Sequence, residues 1–562
     1  MREKEFNLLD EPWIRVLLPD CTVREVSLPD ALLHAQEYTD LAGEMPVQDT
    51  AVLRLLLAVL HSVFGEQVSE DETDSTDDAL DLWENLWTEK RFPEKPLRDY
   101  FAKWHERFWL FHPERPFWQV PQAKSGTEYT AAKLNGELLE SSNKTRLFTT
   151  FSGTGKTEMT YSQAARWLLY INGYDDTSAK PKSKTDEGEK LPSPGAGWLG
   201  KLGLIQVQGK NLFETLMLNF ILLKDGKELW EAPKPCWELD VPHSAERTEI
   251  ALPNNQAELL TLQSRRLLLQ RDGDKVTGYT LLGGDFFEKV DAFSEQMTVW
   301  REIPAKKNSP IHHQPKRHDP ARQFWREFPT VFFRQPNLQL PGVVYWIAEL
   351  QNTSILDRKS IIHFRITGME YGDKDFFVTD AFSDSISFHV GLLDRMADKW
   401  QRNITIEIDC CKKLADQVGF LAKNLALASG GDGEAESKKA KEQFYFQIDQ
   451  PFREWLYRLD PDWDDEESEE SLKDWQNQAK KIARRLGEQM VLEAGTTAFV
   501  GRTVEVKKKN GKKGETEKRY YCAPKAYNSF LYWVNAIYGK GETKHDGSNG
   551  SGTGKKPGPA EN

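Results

Sequence analysis

The distribution of hydrophobic and polar positions changes character about two thirds of the way along the chain. Before about residue 384, short alternating stretches lie between helical patterns, which predicts a large mixed α+β domain over residues 1–384 rather than regular βαβ units. The pattern predicts an opening hairpin at 7–16 and 22–26 and helices at 49–64, 78–86, 100–109 and 161–170. A stretch rich in Gly, Pro, Lys and Ser over 173–203 predicts a long loop, and loops of that length are usually functional or disordered.

Beyond residue 385 the apolar positions keep a helical period. Four amphipathic stripes separated by loops predict a C-terminal four-helix bundle over residues 385–540. The stripes consist of Leu414, Val418, Leu421 and Leu425; of Phe444, Ile448, Phe452, Trp455, Leu456 and Leu459; of Leu472, Trp475, Ala479, Ile482, Leu486 and Met490; and of Phe530, Trp533, Val534 and Ile537. A basic insertion at 504–521 precedes the last helix, and the Gly- and Lys-rich residues 541–562 predict a disordered tail.

Composition restricts the classes of function. Five cysteines in 562 residues do not make a disulfide framework, and no signal-peptide core follows the first residues, so the cytoplasm is the expected compartment. The longest apolar helical run, 51–65, contains Arg54 and His61 and is too short to cross a bilayer, so we expect no membrane partner.

The net charge of −13 argues against a simple nucleic-acid binder. The charge is uneven, however, since 502–525 contains nine basic residues, and such a segment can bind nucleic acid locally.

One segment resembles the phosphate-binding loop of an ATPase. Gly155-Lys156-Thr157 supplies the end of that motif, in which backbone amides wrap the phosphates and the lysine reaches the terminal ones. Thr150 stands where the motif requires its first glycine, and the magnesium-binding acid has no clear candidate. A predicted strand at 147–150, before the helix at 161–170, suits the motif. A P-loop NTPase is therefore one alternative function.

A metal-dependent phosphohydrolase is the second alternative. His318-Asp319 is an adjacent pair of the kind that holds metal ions in such enzymes. Pro315 and Pro320 bracket the pair and oppose the helix that would keep the ligands in register. We therefore favour a basic loop with histidines at its surface, and the sequence identifies no Ser-His-Asp or Cys-His set.

Two weaker patterns are typical of loops that approach a ligand. Closely spaced glycines between Pro194 and Gly203 let a backbone come close to a partner, and Lys201 adds positive charge. Gln351 and Asn352 form an amide pair before an apolar turn, and amides suit the acceptor-rich minor groove or act as a wedge between bases. Taken alone, each pattern is more typical of a plain loop or turn.

Three segments taken together resemble one protein family. Phe6 to Val16 resembles the opening of CasA, the large subunit of the type I-E CRISPR surveillance complex Cascade. His112 to Gln119 and Gln351 to Asp357 resemble two further segments of that family, and the predicted bundle falls where the family's bundle lies. The resemblance covers about residues 6–540.

The resemblance implies a function with no enzymatic site and no cofactor. CasA-like proteins read the protospacer-adjacent motif of double-stranded DNA, open the duplex so that guide RNA can pair, and help to recruit a helicase-nuclease. The implied partners are the other Cascade subunits, the guide RNA, the double-stranded target DNA and the helicase-nuclease. An acidic chain can act in this way because other subunits would supply much of the positive charge.

The DNA-contacting positions of the family can be carried over residue by residue. The set consists of Lys316 and Arg317, which follow Ser309-Pro310, of Gly195, Ala196, Gly197 and Trp198 in the glycine loop, and of Gln351, Asn352 and Thr353 in the amide turn. The glycine loop is less glycine-rich here than in the family. The family's wedge position falls on Asn352 or, with the turn shifted by one residue, on Gln351.

Two further sets of residues are expected near nucleic acid. The resemblance places Phe148 and Lys156 in a mobile segment near the DNA flank and the guide RNA, with Lys156 as a phosphate contact. Charge alone, rather than the resemblance, predicts contacts of the displaced DNA strand with Lys507, Lys508, Lys509, Lys512 and Lys513.

Overall fold

The computed structural model describes residues 4–68, 75–140, 145–146, 148–176, 191–304, 310–394, 397–507 and 516–539. The chain forms two compact units, Met1–Asn403 with Arg453–Asp462, and Ile404–Phe452 with Trp463–Asn562. The first unit mixes helices and strands, as predicted, and the second is largely helical. The predicted domain limits stay predictions, and the tail 541–562 lies outside the described residues.

The strands, in chain order, are β1 (Glu5–Asn7), β2 (Ile14–Leu17), β3 (Val23–Val26), β4 (Asp40–Leu41), β5 (Trp109–Phe111), β6 (Thr127–Thr130), β7 (Leu204–Gln208), β8 (Leu223–Lys224), β9 (Glu228–Leu229), β10 (Arg265–Asp272), β11 (Lys275–Gly283), β12 (Trp300–Ile303), β13 (His312–Pro315), β14 (Ile361–Tyr371), β15 (Val378–His389), β16 (Arg502–Lys507) and β17 (Thr516–Tyr521).

The α-helices are α1 (Leu28–Leu33), α2 (Pro46–Val63), α3 (Thr76–Glu89), α4 (Glu94–Trp104), α5 (Ala131–Leu134), α6 (Thr154–Thr157), α7 (Tyr161–Tyr174), α8 (Leu212–Asn219), α9 (Gln256–Leu260), α10 (Phe328–Phe332), α11 (Gly342–Asn352), α12 (Asp398–Ser429), α13 (Gly433–Arg458), α14 (Asp465–Glu493), α15 (Gly495–Val500) and α16 (Ala523–Tyr538).

The opening hairpin is shorter than the alternation predicts. Strands β2 and β3 pair antiparallel with Ile14 opposite Val26, and β4 joins the other edge of β2. The residues before β2 do not belong to this hairpin, because β1 pairs instead with β5, where Asn7 lies opposite Trp109. The predicted hairpin start at residue 7 is therefore wrong, since a local pattern does not reveal a partner strand a hundred residues away.

Helix α2 forms the apolar centre of the first unit. Among the described helices it is the one whose length and composition would suit a membrane span, and 83% of that window is buried inside the protein. Arg54 on this helix donates to both carboxylate oxygens of Glu295 at 2.9 Å, and both side chains are buried. A charged residue paired inside the fold is typical of a core helix, because an unpaired buried charge would be costly.

An antiparallel sheet packs against this helix, where the Thr50 hydroxyl of α2 lies 3.0 Å from the Thr367 hydroxyl of β14. In the described chain the strands pair in the orders β15-β14-β7 and β10-β11-β6, and β12 pairs with β13 as a hairpin. Phe364 of β14 and Phe388 of β15 stack at 5.7 Å, and Phe332 of α10 packs against both. The β12–β13 hairpin ends at Pro315, so it delivers the next residues of the chain to the candidate interface.

Helices α12, α13, α14 and α16 contain the four predicted stripes except Leu459, which directly follows α13, and the predicted helices are confirmed. Trp475 of α14 donates its indole N–H to Glu407 of α12 at 3.1 Å. Gly487 of α14 leaves no room for a side chain, because a Cβ there would lie 2.3 Å from the ring of Phe530 in α16. These contacts are consistent with the predicted four-helix bundle, which stays a prediction.

The basic insertion forms the antiparallel pair β16–β17, and residues 508–515 between these strands lie outside the described residues.

Candidate nucleic-acid interface

A groove of about 790 Å³ in the first unit brings together predicted residues from distant parts of the sequence. Its lining includes Gly195, Ala196, Trp198, Lys316 and Arg317, all members of the predicted DNA-binding set. The described lining residues include six cations and two carboxylates; these are Lys201, Arg247, Lys289, Arg301, Lys316 and Arg317, with Glu288 and Asp375. The groove is therefore a basic patch on an acidic chain, which is the electrostatic character that a phosphate backbone requires.

A buried arginine fixes the backbone of the glycine loop through hydrogen bonds. Arg265 donates its Nε–H to Asp175 and its Nη2 to the carbonyl of Gly195, both at 2.6 Å. The N–H of Gly197 donates to the Asp175 carbonyl at 2.9 Å. A Cβ on Gly197 would lie 2.3 Å from the Gly173 carbonyl oxygen, so this glycine is required by close packing. The loop backbone is consequently fixed in place, whereas the sequence alone predicts only flexibility.

Trp198 has a mainly structural position. Its side chain is 6% exposed, and its indole N–H donates to Glu295 at 2.8 Å. Glu295 is the carboxylate that pairs with Arg54 of α2, so the loop is tied to the core helix. Trp198 is one of the lining residues of the groove, whereas Gly197 is not.

Lys316 follows directly after β13. Its N–H donates to the Val299 carbonyl at 2.8 Å, which extends the pairing of the β12–β13 hairpin by one residue. Its Nζ donates to Glu327, which also pairs with Arg322 at 3.1 Å. These two cations hold the pKa of Glu327 below its usual value although burial alone would raise it.

Arg317 lies beside Lys316 and is locked by a fork-shaped ion pair. Its two Nη atoms donate to the two carboxylate oxygens of Asp375 at 2.7 and 2.9 Å, and its guanidinium lies 4.8 Å from the ring centre of Tyr371. Lys374 and Asp375 both adopt left-handed backbone angles, with φ of 56° and 58°. Such angles cost energy in residues with side chains, and the arginine pair helps to retain them.

The groove lining contains further cations to which the sequence assigned no role. Arg247 lies 3.7 Å from the ring centre of Phe286, and burial with neighbouring Arg265 lowers its pKa to about 10. Burial and the surrounding cations lower the pKa of Lys201 to about 7. No local signal identifies Arg247, because it is an isolated basic residue in a polar loop and only the fold brings it to the groove.

The two wedge candidates differ in exposure. Gln351 is 9% exposed near the end of α11, and its side-chain oxygen accepts no hydrogen bond from any described atom. Asn352 and Thr353 are exposed, and Thr353 donates its hydroxyl to the Glu349 carbonyl at 2.9 Å. Ser354 follows with φ of 64°, which turns the chain sharply. These residues are not among those that line the groove.

The segment that resembles a phosphate-binding loop has a different structure. The predicted strand at 147–150 is not formed at the described residues 148–150, and α6 is a single turn. The N–H of Lys156 is used within that turn, donating to the Gly153 carbonyl at 3.0 Å, and its Nζ pairs with Glu140 at 2.8 Å. Phe148 is 92% exposed. This geometry lacks the strand, loop and helix that cradle a nucleotide, so it gives the ATPase alternative no support.

The histidines of the proposed metal site are engaged in structural contacts. His318 donates its Nε2–H to the Leu204 carbonyl at 3.0 Å, and burial lowers its pKa to about 4. His312 pairs with Asp291 at 2.6 Å, and His313 contacts the Asn337 carbonyl at 2.9 Å. Within the described ranges no group of three or more His, Cys, Asp or Glu side chains could hold a metal ion.

Most of the lysines predicted to contact the displaced DNA strand lie outside the described residues. Lys507 is the last residue of β16. Lys508, Lys509, Lys512 and Lys513 lie outside the described residues. Their role stays a prediction from charge.

Comparisons with known proteins agree on one family. The model of the CRISPR-associated protein Cse1 family matches residues 7–486. CasA/Cse1 of Thermus thermophilus is 32% identical over 337 residues, which cover 59% of this chain and 61% of the relative, less than two thirds of its length. The crystal structure of Thermobifida fusca Cse1 superposes with a TM-score of 0.81 at 29% identity, over 95% of this chain and 98% of that one.

A chain described as a CRISPR RNA-guided surveillance complex has a similar fold, with a TM-score of 0.68 at 14% identity over 95% of this chain and all of that one. Identity this low bears on the fold alone. The family match covers most of the sequence, and the resemblance seen in the sequence motifs is confirmed. The chain belongs to the CRISPR-associated Cse1 family.

Proposed function

We propose that this chain is a non-enzymatic large subunit of an RNA-guided antiviral surveillance complex. In this function it recognises the protospacer-adjacent motif in double-stranded DNA, promotes opening of the duplex for guide RNA pairing, and helps to recruit a helicase-nuclease. Membership of the Cse1 family supports this assignment. The observation that carries it is the basic groove, in which the glycine loop and the Lys316–Arg317 pair face one ligand space.

The chemistry of this groove suits the DNA minor groove. The minor groove presents mainly hydrogen-bond acceptors, so donors such as the Lys316 ammonium and backbone N–H groups can read it. The code they read is degenerate, and pairing with the guide RNA then supplies most of the sequence specificity. A groove with so few donors can therefore discriminate only a short flanking motif.

Asn352 is the residue that we assign as the wedge. It is exposed where α11 ends, whereas the preceding Gln351 is buried and would have to leave the protein interior to reach DNA. Insertion of a side chain between base pairs costs a few kcal/mol of unstacking per step, and this distortion starts strand exchange. The exposed Phe148 and the nearby Lys156 are proposed to contact the DNA flank or the guide RNA.

Reconstitution tests the proposed function. The complex is assembled with guide RNA and partner subunits, with or without this chain, and is offered targets with randomised flanks. We expect enrichment of one short flanking motif only when the chain is present. Lys316→Ala should flatten that preference by about 1–3 kcal/mol, the range of one good groove contact. Equal binding to all flanks by the complete complex would contradict the proposal.

The wedge assignment is tested by a matched pair of variants. Asn352→Ala should slow duplex opening, measured by the fluorescence of a base analogue placed next to the motif, and should leave binding of a pre-opened target unchanged. Gln351→Ala is the control, because it truncates the neighbouring amide, which is buried. A normal opening rate for Asn352→Ala, with slow opening for Gln351→Ala, would assign the wedge to Gln351 instead.

A further inference from the structure

The cations at the glycine-loop end of the groove form no ion pair with a carboxylate of the described residues. Lys201, Arg247 and Lys289 all line this end. Within the described part of the chain, none of the three forms an ion pair, and Lys201 Nζ contacts only the Pro194 carbonyl, at 3.4 Å. Lys316 and Arg317, in contrast, are each paired with a carboxylate. The charge of Glu249 acts on Arg247 without forming an ion pair, and the pKa of the guanidinium is still lowered. Three clustered cations without ion-pair partners repel one another, so the arrangement favours an anion between them.

Backbone donors lie at the same place. Gly195 has φ of 64°, and its carbonyl is turned toward Arg265. The N–H groups of Gly195 and Ala196 have no hydrogen-bond partner among the described atoms, although Ala196 is 1% exposed. The Cε atom of Lys201 lies 3.9 Å from the position that a Cβ on Gly195 would occupy. Successive N–H groups next to a left-handed residue form a concave site that binds anions.

The protonation of Lys201 depends on these neighbours. Burial is the largest cause of its lowered pKa, and the charges of Arg265, Arg247, Lys289 and Arg317 add to it. Of the two carboxylates in the groove lining, Asp375 is paired with Arg317, whereas Glu288 accepts from the Val290 N–H at 3.0 Å and keeps its negative charge. The charges that act most strongly on Lys201 are nevertheless those of the four cations. A bound anion would reverse the balance and return Lys201 to its charged form.

We propose that this end of the groove is a phosphate subsite, in which Lys201, Arg247, Lys289 and the N–H groups of Gly195 and Ala196 hold one backbone phosphodiester of the DNA duplex. This inference rests on the proposed function and adds the backbone contact that sets the register of the duplex beside Lys316. Phosphate contacts of this kind position a protein on DNA without reading its sequence. Because a phosphodiester is a permanent anion at neutral pH, its binding is coupled to proton uptake by Lys201.

Calorimetry of DNA binding by the assembled complex tests the subsite. With a pKa of about 7 in the free protein, Lys201 is partly deprotonated at pH 7.5 and should take up a substantial fraction of a proton per DNA bound. The value is obtained from titrations in two buffers that differ in ionisation enthalpy. Lys201→Arg keeps a permanent charge and should abolish the uptake with little loss of affinity. Lys201→Met should abolish it and weaken binding about tenfold or more, the loss of one hydrogen bond from a charged donor.

Lys210→Met is the matched control, because Lys210 is an exposed lysine that is not among the lining residues. It should leave both proton uptake and affinity unchanged. Proton uptake that persists in Lys201→Arg, or that is absent from the wild-type complex, would overturn the subsite. Uptake on assembly with guide RNA instead of on DNA addition would overturn it as well, since the phosphate would then belong to RNA. Failure of the proposed function has a different signature, namely DNA binding that ignores the flanking sequence.

Discussion

At the scale of single residues, the two cations predicted to read DNA are each engaged by a carboxylate of their own chain. Lys316 pairs with Glu327, and Arg317 forms two hydrogen bonds with Asp375. A DNA phosphate or base edge must compete with these carboxylates. Such competition reduces binding to arbitrary sequences and holds each side chain in one geometry, which favours discrimination over affinity.

Removal of one competing carboxylate should alter both the affinity for DNA and the discrimination between sequences. Asp375→Asn takes away the charge that neutralises Arg317, so we expect several-fold tighter binding to non-cognate duplex and a steeper salt dependence, by about one unit of slope for one additional phosphate contact. Preference for the correct flank should fall. The measurement is fluorescence anisotropy of the assembled complex at a series of salt concentrations.

Asp373→Asn is the control for this change. Asp373 is an exposed acid two positions away, and its charge loss is the same. It should leave the salt slope and the flank preference at wild-type values. Equal effects of the two variants would show that net charge, and not release of Arg317, governs binding.

At the scale of elements, the position of the β12–β13 hairpin depends on a glycine that precedes β7. A Cβ on Gly203 would lie 2.0 Å from the Lys316 carbonyl oxygen, and the Gly203 N–H donates to the Thr298 hydroxyl at 3.1 Å. The close approach lets the chain after β13 lie against β7. The site thus depends on packing between elements as well as on the side chains that face the groove.

Gly203→Ala should displace the segment that contains Lys316. We expect a loss of about 1–3 kcal/mol in the free energy of unfolding, the usual cost of overpacking, with a weaker flank preference. Gly155→Ala is the stability control, because a Cβ there would have its nearest neighbour at 3.8 Å. Denaturant unfolding of the isolated chain measures the free energy of unfolding of both variants. A stability equal to wild type for Gly203→Ala would show that the hairpin can shift without cost.

A second element-scale prediction concerns the buried carboxylate of α12. Glu407 accepts hydrogen bonds from Trp475 and Gln476, and burial raises its pKa. Because the folded pKa lies above the unfolded value, the protonated form favours the folded state. The stabilisation that protonated Glu407 gives to the folded state is complete below the unfolded pKa of about 4.3. It is lost as the pH rises through the folded pKa.

Glu407→Gln should therefore raise the thermal unfolding midpoint at pH 7–8 and leave it nearly unchanged near pH 4. The side-chain amide of Gln476 can rotate to present its oxygen to the new amide N–H₂, so the hydrogen bonds are retained. Asp409→Asn, at an exposed position of the same helix, should show no such pH-dependent difference. A midpoint that falls at both pH values would contradict the assigned direction of the pKa shift.

At the scale of the whole molecule, a net charge of −13 must be reconciled with the proposed role on DNA. The described structure concentrates cations in one groove, and the sequence adds a lysine-rich segment in the second unit. Acidic surface elsewhere repels nucleic acid, so in the proposed function binding would be confined to these places and to the charges that partner subunits contribute.

Charge reversal of the lysine-rich segment tests this distribution. The triple change Lys507→Glu, Lys508→Glu and Lys509→Glu should weaken target binding by the complex and reduce the salt slope by about two units, the value for three contacts to a single strand. Reversal of the exposed Lys90, Lys95 and Lys103 in the first unit is the control. Target binding that is unchanged at all salt concentrations would remove the segment from the displaced-strand path.

The motifs that led to the family are largely structural. Trp13 is fully buried and donates its indole N–H to the Leu8 carbonyl at 3.0 Å. Gln119 donates to the Leu110 carbonyl at 2.8 Å and accepts from the Leu269 N–H at 2.8 Å. Such residues are required by the fold, and this is why a sequence pattern could indicate the family before any site was visible.

The sequence by itself determined the helices of the second unit and the family. The 3.6-residue period of Leu414, Val418 and Leu421 is a local property, and the side chains that form a helix face lie within a few positions of one another. Only the tertiary structure decided the groove, the exposure of Asn352 over Gln351, and the absence of a nucleotide loop at Lys156.

The physical reason is the sequence distance over which each interaction acts. Gly195, Arg247, Lys316 and Asp375 span well over a hundred positions, and none carries a local pattern that names the others. Charge pairing, desolvation and close packing act through space, so they appear only when the sheets and loops have brought these groups within a few ångströms of one another.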